Sequence, residues 1–437
     1  MRTISERWRA WIIVAMLFLF MVVNFADKAV IGLAAVPIMH DLSLTPAQFG
    51  LVGSSFFLLF SISGICFGFL ANRVKTKWLL TLLSLIWALI QFPMVGTVTL
   101  PLLVFCRIVL GLGEGPAFPL ALHACYKWFD DRRRGLPHAI VQQGANTGMM
   151  IAGPLLTFII VRYGWHHAFL ALGVVGVAWT ALWVLLSVEG RVDEVPADAT
   201  ASNALSDRVP YKRLLADRTL IGNLMLSFVG YAAISICFTW FPAYLRLGLG
   251  YSATSAGWLF SLIIAVQIPV TLALSWSSQR MLAHGISSRV ARGLIASVGA
   301  LVAGIAFFST VVDAAPAFKV VCLAIGSVTS QLIFVFGPLM IGEVVPAPQR
   351  GAMLSINNSI ATIAGLIAPA LMGHAVGAVH GMSAGYEIGF AVLGSLLLMC
   401  ALAGFRLLDP ERSKLGVARN WTPGRHDAPS SQPAVDV

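Results

Sequence analysis

The chain has 437 residues, of which 58% are hydrophobic and only 11% charged, with a mean hydropathy of +0.84. Soluble domains carry about a quarter charged residues, so a water-soluble globular enzyme is excluded first. The formal net charge of +10 would suggest nucleic acid in a soluble protein, but most of this chain has no polar surface to offer a phosphate backbone.

A membrane-spanning helix needs about 20 mostly apolar residues. Such runs occur over 10–35, 48–71, 78–97, 101–125, 136–161, 167–188, 219–244, 253–277, 291–312, 318–341, 351–374 and 385–407. They predict an all-α polytopic membrane protein of twelve helices. The basic start, Arg2 to Arg9, imitates a signal peptide. Its apolar run continues through Asp27 and Lys28 without a small-residue cleavage site, so it reads as the first helix.

The longest polar stretch between helices, 189–218, follows the sixth. It predicts an N-terminal six-helix half over 1–188, a cytoplasmic linker over 189–218 and a C-terminal six-helix half over 219–410. The polar, Pro- and Ser-bearing tail, 411–437, is expected to be disordered and cytoplasmic. With both termini inside, the cytoplasmic segments collect 24 of the 29 Lys and Arg. The outer loops then hold only Arg162, Arg246 and Lys319, which is the distribution that orients membrane proteins.

The two halves echo each other. Arg134-Gly135 opens the fifth helix and is followed by Gln142-Gln143; Arg350-Gly351 opens the eleventh and is followed by Asn357-Asn358. Gly153-Pro154 and Pro369 come later in the same helices. Tandem six-helix repeats with a site between them are a transporter architecture. The six cysteines are scattered without close pairing, which suggests neither a disulfide framework nor a metal site, and no cofactor is expected.

Four full charges lie inside the spans: Asp27, Lys28, Arg107 and Glu114. Each costs about 2.5–3.5 kcal/mol at the membrane centre on insertion scales, so such residues face a cavity or a partner. The second half has none in a helix interior; Glu343 and Glu387 sit near helix ends and are expected to reach water. Arg107 and Glu114 are two turns apart on one face, about 10 Å along the axis. Asp27 is expected to meet Arg107 if the first and fourth helices pack together. A buried ion network that only fixes packing is the competing reading. Concentration of all four in one repeat favours function.

Lys28 and Arg107 suit an anionic substrate, Arg through its planar fork and Lys as a mobile point charge. Asp27 and Glu114 suit reversible protonation. Proton and anion binding are then linked by competition for the two cations. Gln142, Gln143 and Asn146, with Asn357, Asn358, Ser359 and Thr362, suit either hydroxyl recognition or helix–helix hydrogen bonding. Trp240, Phe334 and Phe336 are candidate cavity aromatics. The Gly111-x-Gly113-x-Gly115 run has no strand before it, so close helix packing is expected in place of nucleotide binding.

These residues carry a resemblance. Asn24-Phe25-Ala26-Asp27-Lys28, Arg107 with Glu114-Gly115-Pro116 and Phe118-Pro119, Trp128-Phe129 with Arg132 to Gly135, and Gly164-Trp165 with Ala168-Phe169 cover most of the first half. Together they resemble the major facilitator superfamily, and within it the anion:cation symporters of hexuronate, galactonate, glucarate, tartrate and phthalate. The resemblance implies twelve helices in two repeats, alternating access and proton-coupled uptake of a small organic anion such as a sugar acid or other carboxylate. It places Asp27 and Glu114 at the proton-linked carboxylates, Lys28 and Arg107 at the basic anion site, and Gln142 or Gln143 at a substrate contact. Asn357 or Asn358 falls at the corresponding contact in the second half.

Three departures stand out. Lys28 replaces the usual Arg, and His166 stands where Arg is frequent. The loop after the second helix, with Gly68, Asn72, Arg73, Lys75 and Lys77, has Asn where Asp is favoured, which predicts a weaker cytoplasmic latch. The expected location is the bacterial inner membrane, with protons, lipid and a small organic anion as partners, no nucleic acid, and a monomeric state. An alternative is a proton-coupled drug or metabolite efflux antiporter, suggested by Gly148 with Gly153-Pro154, although cationic drug export does not need two intramembrane cations. The nine His are scattered, so no enzyme is expected.

Overall fold

The computed structural model describes residues 4–71, 73–129, 133–190, 209–346, 349–379 and 381–419. Among the described residues, twelve helices are long and apolar enough to cross a membrane: α1 Trp8–Leu33, α2 Pro46–Gly68, α3 Thr76–Val95, α4 Leu100–Tyr126, α5 Gly135–Tyr163 and α6 Trp165–Leu186, then α7 Arg218–Gly248, α8 Ala253–Ala283, α9 Arg289–Val311, α10 Pro316–Val344, α11 Arg350–Ala378 and α12 Ser383–Leu407. The chain is a multi-pass membrane protein. An even number of spans brings Trp8, at the start of α1, and Leu407, at the end of α12, to one side of the bundle.

Local chemistry sets the boundaries. Thr45 caps α2 in a reciprocal pair with Gln48, and Thr99, Asp217 and Ser252 cap α4, α7 and α8. Gly164, with φ of 92°, turns α5 into α6, and Gly381, with φ of 121°, turns α11 into α12; the left-handed region favours glycine at both corners. Helix α4 is interrupted between Glu114 and Ala117, because Pro116 has no N–H for the Leu112 carbonyl. Its counterpart α10 is interrupted at Gln331.

The repeat is visible in side-chain detail. The Arg134 guanidinium donates to the Phe129 carbonyl at 2.8 Å, and Arg350 donates in the same way to Val345 at 3.0 Å. Glu189, after α6, accepts the N–H groups of Thr76 and Lys77 at the start of α3. Glu411, after α12, accepts the N–H of Ser288 at the start of α9. The same capping device closes both halves at the end that carries the termini.

Several sequence expectations change. Lys319 is not in an outer loop: it lies buried in α10 and pairs at 2.6 Å with Glu387 of α12, which also accepts from Tyr244 and Ser383. The second half therefore holds a buried ion pair, and Glu387 is only 8% exposed, with the Tyr244 hydroxyl bonded to it and Tyr386 and Phe390 packed on the Tyr244 ring. The tail expected to be disordered from 411 begins inside a helix, Pro410–Arg419. Pro410 and Ser413 are buried, and Ser413 hydrogen-bonds Thr219 at 2.7 Å, so contact with α7 supports the order. The linker region is anchored at both described ends: Glu189 binds α3, and Val209 exchanges two backbone bonds with the Gln349 side chain. Residues 191–208 and 420–437, with Asn72, lie outside the described residues.

Candidate functional site

The halves meet at the end of the bundle far from the termini. There Ser54 accepts the Ala370 N–H at 3.0 Å, Phe49 lies edge-on to Trp240, and Ser261 donates to the Met150 carbonyl at 2.7 Å. A Cβ on Gly50 or Gly53 would run into Pro369 and Thr239, so glycine is what lets α2 approach the second half. The seam reaches mid-depth, where Ser61 hydrogen-bonds Thr362 and Phe57 meets Tyr231. Nearer the termini, Gln142 and Asn358 are exposed. Each continues the face that makes the seam: Gln142, Asn146, Met150 and Gly153 on α5, and Asn358, Thr362 and Gly365 on α11. The helix faces that touch at the far end therefore part toward the terminal end.

The four intramembrane charges come together beside this seam. Asp27, Lys28, Arg107 and Glu114 are all buried, at 1%, 8%, 4% and 2% exposure. Two glycines make this possible: Gly111 and Gly115 put α4 directly against the Phe56 and Phe60 carbonyls of α2, where a side chain would collide. The packing expected of the Gly111–Gly115 run is thus observed, with Gly113 turned toward Ile86 of α3. Glu114 sits at the interruption of α4, so its carboxylate stands where the helix backbone is already broken.

The contact ion pair is not the expected one. Lys28 reaches Glu114 at 2.9 Å and donates to Asn24 at 2.5 Å, with its ammonium 4.2 Å from the centre of the Phe25 ring. Asp27 and Arg107 lie in each other's field without a contact ion pair, and the Arg107 guanidinium rests 4.6 Å from the centre of the Phe56 ring. Arg107 Nε and Nη1, Asp27 Oδ1 and both Glu114 oxygens have no aligned hydrogen-bond partner among the described residues. Buried polar groups are rarely left so, and each missing bond costs about 1–3 kcal/mol. The site has capacity for an anion on Arg107 and for a proton on either carboxylate.

The amides divide. Asn146 donates to Gln143 at 3.1 Å, and Gln142 faces His138 at 3.2 Å on the parted stretch of α5. Asn357 is committed to packing: it accepts from Asn223 at 3.0 Å and bonds Ser227 at 3.3 Å, both on α7. Asn358 is the member of that pair on the face toward the gap. Trp240 donates to the Pro369 carbonyl at the sealed end, Phe336 lies in the core of the second half, and Phe334 packs on Tyr231. Gly148 packs against Val22 of α1 and Gly153 against α8.

Sequence reading missed Tyr231, a buried residue of the second half that packs on Phe57 and Phe334 within the electrostatic reach of Glu114. It also missed the Gln267–Gln331 amide pair, 3.0 Å apart at mid-depth in α8 and α10. A polar residue in the middle of an apolar span was the available signal for all three.

Of the loop residues, Lys77 donates to the Val184 and Ser187 carbonyls at 2.9 and 2.7 Å, so it caps the end of α6. Arg73 is exposed, Gly68 closes α2, and Asn72 lies outside the described residues. Outside the spans, the Glu189 carboxyl is held below its ordinary range. Burial is the largest influence and would raise it, but bonds from Lys127 and from the Lys77 and Thr76 N–H groups together outweigh that. Asp41 is also lowered, first by the Trp165 indole N–H at 2.8 Å and then by His40.

Comparison with known proteins agrees with this architecture. The family model described as Major Facilitator Superfamily matches residues 17–329. The chain is 26% identical to the "Probable sulfoacetate transporter" of Cupriavidus necator, covering 94% of this chain and 98% of that one. It is also 26% identical to the hexuronate transporter of Bacillus subtilis, over 91% and 94% of the two chains. Among solved structures, a bacterial homologue of the lysosomal transporter Spinster, inward-facing and unoccupied, superposes with a TM-score of 0.76 at 18% identity, covering 95% of this chain and 99% of that one.

Proposed function

The chain belongs to the Major Facilitator Superfamily, and from that premise we propose that it takes up a small organic anion, a sugar acid or similar carboxylate, by proton-coupled symport. The observation that carries this reading is the buried quartet of Asp27, Lys28, Arg107 and Glu114, with Arg107 short of partners. The hexuronate and sulfoacetate transporters among its relatives support the substrate class.

Charge balance gives the coupling. The quartet sums to zero, so an arriving monoanion leaves a net negative charge in a medium where unpaired charge is costly. One proton on Asp27 or Glu114 restores neutrality. Protonated Glu114 also frees Lys28, which then joins Arg107 in holding the anion. Substrate and proton thus stabilise each other's occupancy, and neither alone gives a neutral site able to cross between the two access states. A dianion requires both carboxylates to be protonated.

With the termini cytoplasmic, the parted end is the cytoplasmic one, and release follows when the proton leaves and Glu114 reclaims Lys28. Gln142, Gln143 and Asn358 then line the exit, while Tyr231, Gln267 and Gln331 offer hydroxyl and amide contacts from the second half. Reconstituted vesicles test the proposal. Hexuronate, glucarate or sulfoacetate should each drive proton entry together with anion uptake, and Arg107→Ala should abolish both. Transport of neutral sugars with no acid transported would overturn it.

A further inference from the structure

We propose that a pocket at the terminal end of the second half binds the headgroup phosphate of an anionic phospholipid from the adjoining leaflet. A cavity of about 390 Å³ is bordered by Arg218, Arg289, Arg406 and Arg412, with Asp217 and Asp409. Both carboxylates are already engaged. Asp217 accepts the Thr219 and Leu220 N–H groups, and Asp409 pairs with Arg289 at 3.5 Å and accepts the Arg412 N–H. Arg218, Arg406 and Arg412 have no ion-pair partner among the described residues. Three guanidinium groups around one cavity match the bidentate geometry of a phosphate.

Helix periodicity turns the pocket toward lipid. Ile388, Val392, Met399, Leu402 and Arg406 recur at three- and four-residue spacing along one face of α12, and Met399 and Leu402 are 58% and 61% exposed. Arg218, Ile221 and Met225 make the same progression on α7, with exposed apolar residues following the arginine. Arginine at the end of a lipid-facing stripe is where a headgroup sits.

An apolar groove of about 420 Å³ lies on the same face of α12, bordered by Phe308, Val311, Ile388, Val392 and Met399. At 1.5 Å rise per residue it begins about 10 Å from Arg406. In a hydrocarbon core about 30 Å thick, its near end at Met399 is acyl-chain depth of the adjoining leaflet, while Ile388, about 27 Å from Arg406, reaches toward the opposite one. The aligned groove favours a lipid over a free anion, and the unpaired cations favour phosphatidylglycerol over a zwitterionic lipid.

Native mass spectrometry of the full chain, purified in detergent, tests this with phosphatidylglycerol and phosphatidylethanolamine of identical chains. Wild type should retain phosphatidylglycerol preferentially. The double substitution Arg218→Gln with Arg406→Gln should cut that preference about tenfold, whereas Arg162→Gln, at the far end, should leave it unchanged. Met399→Glu keeps every arginine and obstructs the acyl path, so it should also weaken retention; size-exclusion elution checks that the variants are folded. An unchanged preference in folded double variant overturns the site. Displacement of the lipid by inorganic phosphate at equal concentration overturns the lipid assignment in favour of a free-anion site.

Discussion

Lys28 and Glu114 form a buried ion pair at 2.9 Å, while Arg107, two turns before Glu114 on the same helix, keeps two guanidinium nitrogens without partners among the described residues. One cation is neutralised by contact and the other is held ready. In the proposed transport cycle the two cations take different first roles: Arg107 meets the anion, and Lys28 becomes available when Glu114 takes a proton.

Glu114→Gln should therefore separate binding from coupling. The substitution leaves Lys28 free for the anion, so exchange of labelled for unlabelled substrate should persist. Accumulation driven by a proton gradient should fall to background, and Asp27→Asn should behave alike. If both variants retain uphill uptake in vesicles, the coupling scheme is wrong. Breaking a buried pair costs about 3–5 kcal/mol, so reduced thermal stability should accompany Glu114→Gln.

Arg107→Lys retains the charge but loses the planar fork and the face contact with Phe56 at 4.6 Å. Each of these contributes about 1 kcal/mol, so substrate affinity should fall roughly 10-fold to 30-fold. Arg107→Ala should remove measurable binding. Calorimetric titration with a panel of organic acids distinguishes the two, and equal affinity for wild type and Arg107→Ala would place the anion elsewhere.

The Lys319–Glu387 pair is tested by stability. Glu387→Ala leaves a buried ammonium and should destabilise by about 3–5 kcal/mol, whereas Lys319→Met with Glu387→Leu should return most of that. Thermal unfolding in detergent measures both. A double variant no more stable than the single one would show that the pair does more than satisfy its own burial.

Acid should loosen the Glu189 cap. Its carboxyl titrates below the ordinary 4.5 in the folded protein, so its contribution is complete above that value and is lost as pH falls through the lowered one. From pH 5 to 8 the cap should be constant, and Glu189→Gln should cost about 1–2 kcal/mol across this window. The variant's deficit should shrink on acidification below about pH 4. A deficit that grows there would reverse the assigned sign.

Gly53→Val should push Thr239 and Pro369 away and hold the far end open. Alternating access then closes the terminal end, so thiol labelling of Gln142→Cys from that side should slow several-fold. Unchanged labelling would mean that the seam tolerates the side chain.

Twelve spans, the half-chain repeat and the four intramembrane charges were legible in the chain, because each rests on composition or on spacing along one helix. A charge in an apolar run is conspicuous whatever its neighbours. The pairing of Lys319 with Glu387 was not legible because both lie near helix ends, where sequence suggests water; aromatic residues of α7 and α12 pack in that region instead. Asn357 and Asn358 looked equivalent, yet adjacent helix positions are turned by about 100°, so one bonds α7 and the other faces the gap.

What the sequence by itself determined is therefore the membrane class, the repeat and the inventory of charges that such a medium tolerates only for a reason. Only the tertiary structure decided who pairs with whom: Lys28 with Glu114 and not Asp27 with Arg107, Glu189 with the start of α3, Lys77 with the end of α6. Pairing depends on interhelical distances of a few ångströms, set by glycines such as Gly111 and by the carbonyls they admit. Helical periodicity gives the face a residue occupies, and close packing between helices selects its partner.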